Sequence, residues 1–137
     1  MTKEEILRDF MEKVWNQQRK DLVEKFIDES YQIHLDTGDN WEGKVLNYEE
    51  FKRRLDFSFN SFPDINFEIT SAIEEENHVA INWILTGTNL GKIGDLPPTK
   101  KKIKTNGITI YHFKGDLISG HTQVFDRNLV TKQLGFL

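Results

Sequence analysis

Residues 107–126 read GITIYHFKGDLISGHTQVFD, from Gly107 to Asp126. Gly107 to Phe113 is dense in β-branched and aromatic residues, which suit a pleated, half-buried surface. Lys114-Gly115-Asp116-Leu117 supplies a turn, because Gly and Asp tolerate the backbone angles of a hairpin loop. Ile118 to Asp126 then leads back. Side chains alternate along a strand, so Ile108, Ile110 and His112 share one side of the first arm. On the second arm Ile118, Gly120, Thr122, Val124 and Asp126 share one side. That row is apolar or small and ends in a carboxylate, which makes Asp126 the conspicuous residue of the chain. A three-residue loop, Lys114 to Asp116, pairs Phe113 with Leu117 and aligns the apolar halves of both strands. His112 then lies on the side of Ile118 and Asp126. A two-residue loop at Gly115-Asp116 reverses this unless a bulge restores the phase.

Working outward, 137 residues fit one domain, 1–137, with a single sizeable core. Ten Phe and three Trp supply material for that core and for an aromatic-lined cavity. A net charge of −4 lacks the broad basic surface that a nucleic-acid partner needs. With no cysteine, disulfides, thiol nucleophiles and Cys-based zinc sites are excluded. The first residues lack the basic-then-apolar order of a signal peptide, and no apolar run suggests a membrane span. The expectation is a soluble, cytoplasmic protein.

The first half of the chain reads as helical. Thr2-x-x-Glu5 has the form of a capping box, and Ile6, Leu7, Phe10, Met11, Val14 and Trp15 recur at helical spacing. Asp21 can cap a second helix carrying Leu22, Val23, Phe26 and Ile27. Tyr31 to Leu35 reads as a short strand and Asp36 to Gly43 as a loop. Asn47-x-x-Glu50 repeats the cap, and Tyr48, Phe51, Leu55 and Phe59 form the stripe of a third helix. Phe62-Pro63-Asp64 ends it, since a residue before proline leaves helical angles.

From Ile65 the period becomes two. Ile65, Phe67 and Ile69 alternate with polar neighbours, and Val79, Ile81, Trp83 and Leu85 do so beyond the turn at Glu74 to Asn77. Gly91 to Thr99 is a loop, and Asn128 to Leu134 a final helical segment ended by Gly135. Helices grouped before about four long strands imply an α+β fold.

His34, Phe62-Pro63-Asp64, Trp83 through Gly87-Thr88, the loop Gly94 to Thr99, Gly107-Ile108-x-Ile110, Asp126 and Gln133-Leu134-Gly135 recur in one order across nearly the whole chain. On these marks the sequence resembles the SnoaL-like polyketide (ester) cyclases of the nuclear-transport-factor-2-like superfamily. The resemblance implies a cone-shaped, curved antiparallel sheet with three helices on its concave face. It also implies a small, cofactor-free enzyme with a deep apolar pocket, closing a ring by intramolecular aldol condensation. The family's acid/base carboxylate falls on Asp126, its histidine partner on His112, and a pocket-lining histidine on His34. Many relatives carry Trp where this chain has Thr122, a departure that bears on pocket shape. Trp15, Phe51, Phe59, Trp83, Ile110 and Thr122 complete the expected substrate-binding wall, and a homodimer is expected.

Simpler roles compete with these. Asp126 can cap the segment that follows it. His121 alternates away from Asp126 and reads as a surface or subunit-contact residue. With Thr109, Tyr111 and Phe113 it would form an outer sheet face, the working surface if the chain were an assembly module. His34-x-Asp36-x-x-Asp39 holds metal-ligand residue types but reads as a turn, and no metal site is expected. Lys100 to Lys104 guards a strand edge. Two further readings use the same cavity: a non-catalytic binder of small apolar molecules, and an epoxide-hydrolase-like enzyme drawing on Asp126, Asn82 and Arg127.

Overall fold

The computed structural model describes residues 1–136. Helix α1 (Lys3–Phe10) begins where the Thr2 hydroxyl accepts the Glu5 amide at 3.1 Å. It continues into a wider, π-helical turn, Met11–Asn16, which buries Met11, Val14 and Trp15. Asn16 at the end of that turn acts as a strand surrogate: its amide donates to the Phe67 carbonyl at 2.9 Å, and its oxygen accepts the Phe67 N–H at 2.8 Å. The first helix is thereby fastened to the sheet. A turn at Lys20–Leu22 and the short helix α2 (Val23–Phe26) lead into strand β1 (Ile27–Asp36). This strand is longer than the Tyr31–Leu35 expected, because Ile27, Tyr31 and Ile33 are all drawn into the core.

After the two-residue strand β2 (Val45–Leu46), helix α3 (Tyr48–Ser61) starts with a reciprocal capping box between Asn47 and Glu50. Its buried stripe is Phe51, Leu55 and Phe59. Strands β3 (Asn66–Glu75), β4 (His78–Thr88), β5 (Lys102–Lys114) and β6 (Leu117–Phe125) follow, and helix α4 (Arg127–Gln133) closes the fold. The six strands form one curved sheet in the order β2-β1-β6-β5-β4-β3, not closed into a barrel. Every pairing is antiparallel except β1 with β6, which is parallel. The α+β expectation holds: the four long strands and the strand around Tyr31 are present, and the two-residue β2 is the addition.

The hairpin differs from expectation in an instructive way. Its loop has two residues, Gly115 and Asp116, with Lys114 opposite Leu117. The register then shifts, since Phe113 pairs with Ile118 and His112 with Gly120, leaving Ser119 as the extra residue of a bulge. Beyond the bulge Ile110 faces Thr122 and Ile108 faces Val124, so His112 does share a side with Gly120, Thr122 and Val124. That side is the outer one. The concave side carries Thr105, Thr109, Tyr111 and Phe113 from β5 and His121 from β6, all buried. The face expected to be outer is therefore inner, and the reverse.

Gly107 is required where it stands. A Cβ there would lie 2.5 Å from the Trp83 ring and 2.6 Å from the Phe125 Cβ. Its bare backbone lets the indole lie across β5, where Trp83 packs edge-on against Phe67.

Candidate active site

Asp36 ends β1 on the concave side and is 1% exposed. A carboxylate so deep in a protein needs compensation, and four side chains supply it. His121 Nε2 lies 2.8 Å from Oδ2, Arg54 Nη2 donates to Oδ2 at 3.1 Å, and Arg127 Nη2 donates to Oδ1 at 2.9 Å. The Gln123 amide donates to Oδ2 at 3.2 Å. Burial pushes the Asp36 carboxyl up, but the His121 hydrogen bond and the Arg54 and Arg127 charges outweigh it. The group is held below the usual carboxylate range.

His121 is 2% exposed and sits between two partners. Its Nδ1 lies 2.5 Å from the Tyr31 hydroxyl oxygen and its Nε2 faces Asp36. An ionised carboxylate only accepts, so Nε2 carries the proton and Nδ1 accepts from the Tyr31 O–H. Burial lowers the imidazole below its ordinary value, against the pull of Asp36 and with the help of Arg54. A neutral histidine results. Burial also drives the Tyr31 phenol well above its ordinary value. Tyr31, His121 and Asp36 thus form a hydrogen-bonded relay, each member fixed by the next.

The surroundings hold the relay rigid. Gln123 Oε1 accepts from the Thr109 hydroxyl at 2.7 Å, which in turn accepts the Trp83 indole N–H at 2.8 Å. The Gln123 amide is thereby oriented with its donor toward Asp36. Arg54, from α3, also donates to Asp39 at 3.0 Å. Arg127, the first residue of α4, donates from Nε to the Thr37 carbonyl at 2.7 Å and lies over the Phe125 ring, 4.3 Å from its centre. Gly38 allows this, because a Cβ there would meet the Arg127 side chain at 2.6 Å.

The relay opens on a hollow. A cavity of ≈ 130 Å³ is lined by Tyr31, His121, Gln123, Arg54 and Arg127 at its polar end and by aromatic rings elsewhere. A second chamber of ≈ 400 Å³ adjoins it, with Phe57, Ser58, Ile65, Leu85, Phe125 and Arg127 as common wall. Ile93, Leu96, Val130 and Leu134 make the outer chamber apolar. The inner cavity has the polar end and the adjoining chamber is mostly apolar.

Of the residues expected at a site, Trp15, Phe51 and Trp83 line the inner cavity. Phe59 is buried one layer behind, edge-on to Trp15. The rest lie elsewhere. Asp126 is exposed and caps α4, accepting the Leu129 amide at 3.0 Å, the simpler of its two readings. Its strand ends at Phe125, and the row it would continue, Gly120, Thr122 and Val124, is the outer one. His112, His34, Ile110 and Thr122 sit on the outer side with the rest of the apolar row. Asn82 is there too, bonded to Thr70, and is separated from Arg127 by the sheet.

Asp36, His121, Tyr31, Arg54 and Gln123 were not singled out as site residues. The available signal was polar alternation: His121 and Gln123 share a face with Thr109 and Tyr111, a row too polar for a dry core and too aromatic for water. Among the described residues no cluster of three or more His, Cys, Asp or Glu is arranged to hold a metal ion. No helix among them is long and apolar enough to cross a membrane.

Residues 5–134 match the family described as SnoaL-like polyketide cyclase. A polyketide cyclase candidate from Acidithiobacillus ferrooxidans superimposes with a TM-score of 0.90 at 35% identity, over 96% of this chain and 93% of that one. IdmH of Streptomyces antibioticus, a polyketide cyclase candidate, gives 0.83 at 19% identity over 98% and 99% of the two chains. AclR of Streptomyces galilaeus, a hydroxylase candidate, gives 0.80 at 18% over 98% and 85%. A search of curated proteins finds no significant match.

Proposed function

Because the chain belongs to the SnoaL-like polyketide cyclase family, we propose that it moves a proton at an activated carbon of a small lipophilic carbonyl compound and closes a ring. The observation that carries this reading is the buried chain from Tyr31 Oη through His121 to Asp36, with its phenol at the wall of the hollow. Asp126 and His112, the pair suggested by the sequence, are not among the residues that line that hollow.

The sequence of events is a proton relay. Tyr31 Oη takes a proton from the carbon flanked by carbonyls while passing its own to His121 Nδ1. The imidazolium that forms is stabilised by Asp36, whose charge is kept by Arg54 and Arg127. Arg127, at the junction of the two chambers, offers positive charge to the enolate oxygen. The enolate carbon then attacks a second carbonyl of the same molecule, forming a carbon–carbon bond and an alkoxide. That alkoxide recovers a proton from Tyr31 as His121 gives its proton back. No electron changes hands, so the cycle calls for no redox cofactor. The apolar chamber contributes by folding the chain so that the two carbons meet.

A test need not know the natural substrate. A panel of β-keto esters is incubated in D2O and deuterium uptake at the activated carbon is followed by NMR. The wild-type protein is expected to accelerate uptake, and Tyr31→Phe to reduce that acceleration by about a hundred- to ten-thousand-fold. If compounds bind with no accelerated exchange, the cavity is a carrier and the catalytic reading falls. One observation favours a second reaction: Arg54 bridges Asp36 and Asp39 at 3.1 and 3.0 Å, a set suited to activating a water against an epoxide. Incorporation of oxygen from labelled water into a diol would select it.

A further inference from the structure

The loop of residues 90–99 contributes Ile93 and Leu96 to the wall of the outer chamber. It belongs to no helix or strand. A tight turn shapes its middle, where Ile93 and Leu96 exchange both backbone hydrogen bonds, at 3.1 and 2.9 Å. A loop over the surface walls a hollow only as well as its two ends are fastened.

Asn89, the residue after β4, fastens both. It is fully buried, and its Nδ2 donates to the Ser61 carbonyl at 3.2 Å and to the Gly91 carbonyl at 2.8 Å. Its Oδ1 accepts the Thr99 N–H at 2.8 Å and the Thr99 hydroxyl at 3.0 Å. All four hydrogen-bonding positions of the amide are thereby used, and a buried polar group so satisfied is rigid. Ser61, the last residue of α3, adds three bonds. Its carbonyl accepts the Leu90 and Gly91 amides at 3.1 and 3.3 Å, and its hydroxyl donates to the Lys92 carbonyl at 2.7 Å. Gly91 permits the approach, because a Cβ there would lie 1.8 Å from the Asn60 carbonyl oxygen.

The chamber behind this loop has little polar chemistry to offer. The Ser61 hydroxyl is directed at Lys92, the Thr131 hydroxyl donates to the Arg127 carbonyl at 3.0 Å, and the Arg127 guanidinium is turned to Asp36 and Thr37. Of the polar lining residues that leaves Ser58, on the wall shared with the inner cavity. Size separates the two hollows as well. A cavity of about 150 Å³ holds one six-carbon ring. The inner ≈ 130 Å³ therefore takes little more than a pair of carbonyls, and the outer ≈ 400 Å³ takes on the order of ten carbons.

We propose that the outer chamber is a specificity subsite for an uncharged hydrocarbon tail on the substrate, and that Asn89 is a positioning residue that shapes it by holding the 90–99 loop against α3. The inference rests on the proton-transfer reading of the inner site, which fixes the end of the molecule that carries the carbonyls. Each methylene of the tail that leaves water strengthens binding by up to about fourfold. Without Asn89 the loop loses its ties at Gly91 and Thr99, Ile93 and Leu96 are no longer held over the tail, and the gain per methylene shrinks.

Titration calorimetry with methyl 3-oxobutanoate and methyl 3-oxodecanoate, whose tails are methyl and heptyl, tests this. In ordinary water proton exchange regenerates the same ester, so binding is read without net turnover. The wild-type protein is expected to bind the heptyl ester at least about thirtyfold more tightly than the methyl ester. Asn89→Ala, checked for folding by circular dichroism, is expected to bring that ratio below about fivefold, whereas a merely structural role would weaken both esters alike. Leu96→Ser, at a half-exposed position of the wall, is the second variant should the first not fold, and is expected to cut the ratio at least about threefold. Equal affinity of the wild type for the two esters overturns the subsite, however fast deuterium exchange proves to be. A folded Asn89→Ala that keeps the wild-type ratio overturns the role of Asn89, and Leu96→Ser that keeps it overturns the part of the loop. Tail-dependent binding with no accelerated exchange supports the subsite and overturns the catalytic reading alone.

Discussion

The two sides of strands β5 and β6 are built from the same stretch of chain and have opposite economies. The concave side holds buried Thr109, Tyr111 and His121 and half-buried Gln123, with Gln123 bonded to Thr109 and both Gln123 and His121 bonded to Asp36. The convex side holds Ile108, Ile110 and Val124, apolar side chains left open. In an ordinary half-buried sheet the greasy row goes in and the polar row goes out. Here the inner row lines the hollow and the outer row stands exposed, so hydropathy and burial part company. Where one side of a sheet walls a cavity, the more polar row can be the inner one.

The comparison breaks most sharply at Asp36. Asp36→Asn leaves Arg54 and Arg127 facing a neutral group in a buried place, and a loss of about 3–5 kcal/mol of folding stability is expected by urea denaturation. A loss below about 1 kcal/mol would mean the network is solvated and the inner row is no special environment. The same network fixes a pH response. Asp36 is depressed in the folded state, so its contribution is present above the unfolded carboxylate range and fades as pH falls through the folded value. His121 and His112 are also lowered, so the unfolded chain binds their protons first. Stability is expected to decline from about pH 6.5 downward, read as a falling midpoint of thermal unfolding.

Gly107→Ala tests how tightly the inner row is packed. Its methyl would overlap the Trp83 ring, and a cost of about 1–3 kcal/mol is expected with altered indole fluorescence. Asp126→Ala should cost about 1 kcal/mol through the lost cap on α4 and leave proton exchange intact. Smallest of all, Val124→Thr on the convex side should change the stability of a monomer by less than about 0.5 kcal/mol. A larger loss would place Val124 in a core.

Much of this molecule was legible in its sequence. Thr2-x-x-Glu5 and Asn47-x-x-Glu50 mark helix starts because each cap is made by residues three apart, within reach of a local reading. The period-two rows of β3 and β4, with Val79, Ile81 and Trp83 inward, were equally clear. The site was not. Asp36 and His121 are 85 residues apart and meet only because β1 runs parallel to β6, a pairing that no local pattern announces. The bulge at Ser119 moved the register without marking itself in composition. Asp126 drew attention as an acid closing an apolar row, yet the row was the outer one and the strand had already ended.

The most direct measurement sets one histidine from each side of the sheet against the other. Deuterium exchange into β-keto esters is followed for His121→Gln and for His112→Gln at pH 7.5, with both variants verified as folded. The account predicts that His121→Gln slows exchange by about a hundredfold or more while His112→Gln stays within about twofold of the wild type. Loss of exchange in His112→Gln with His121→Gln still active would contradict it and move the chemistry to the opposite side of the sheet.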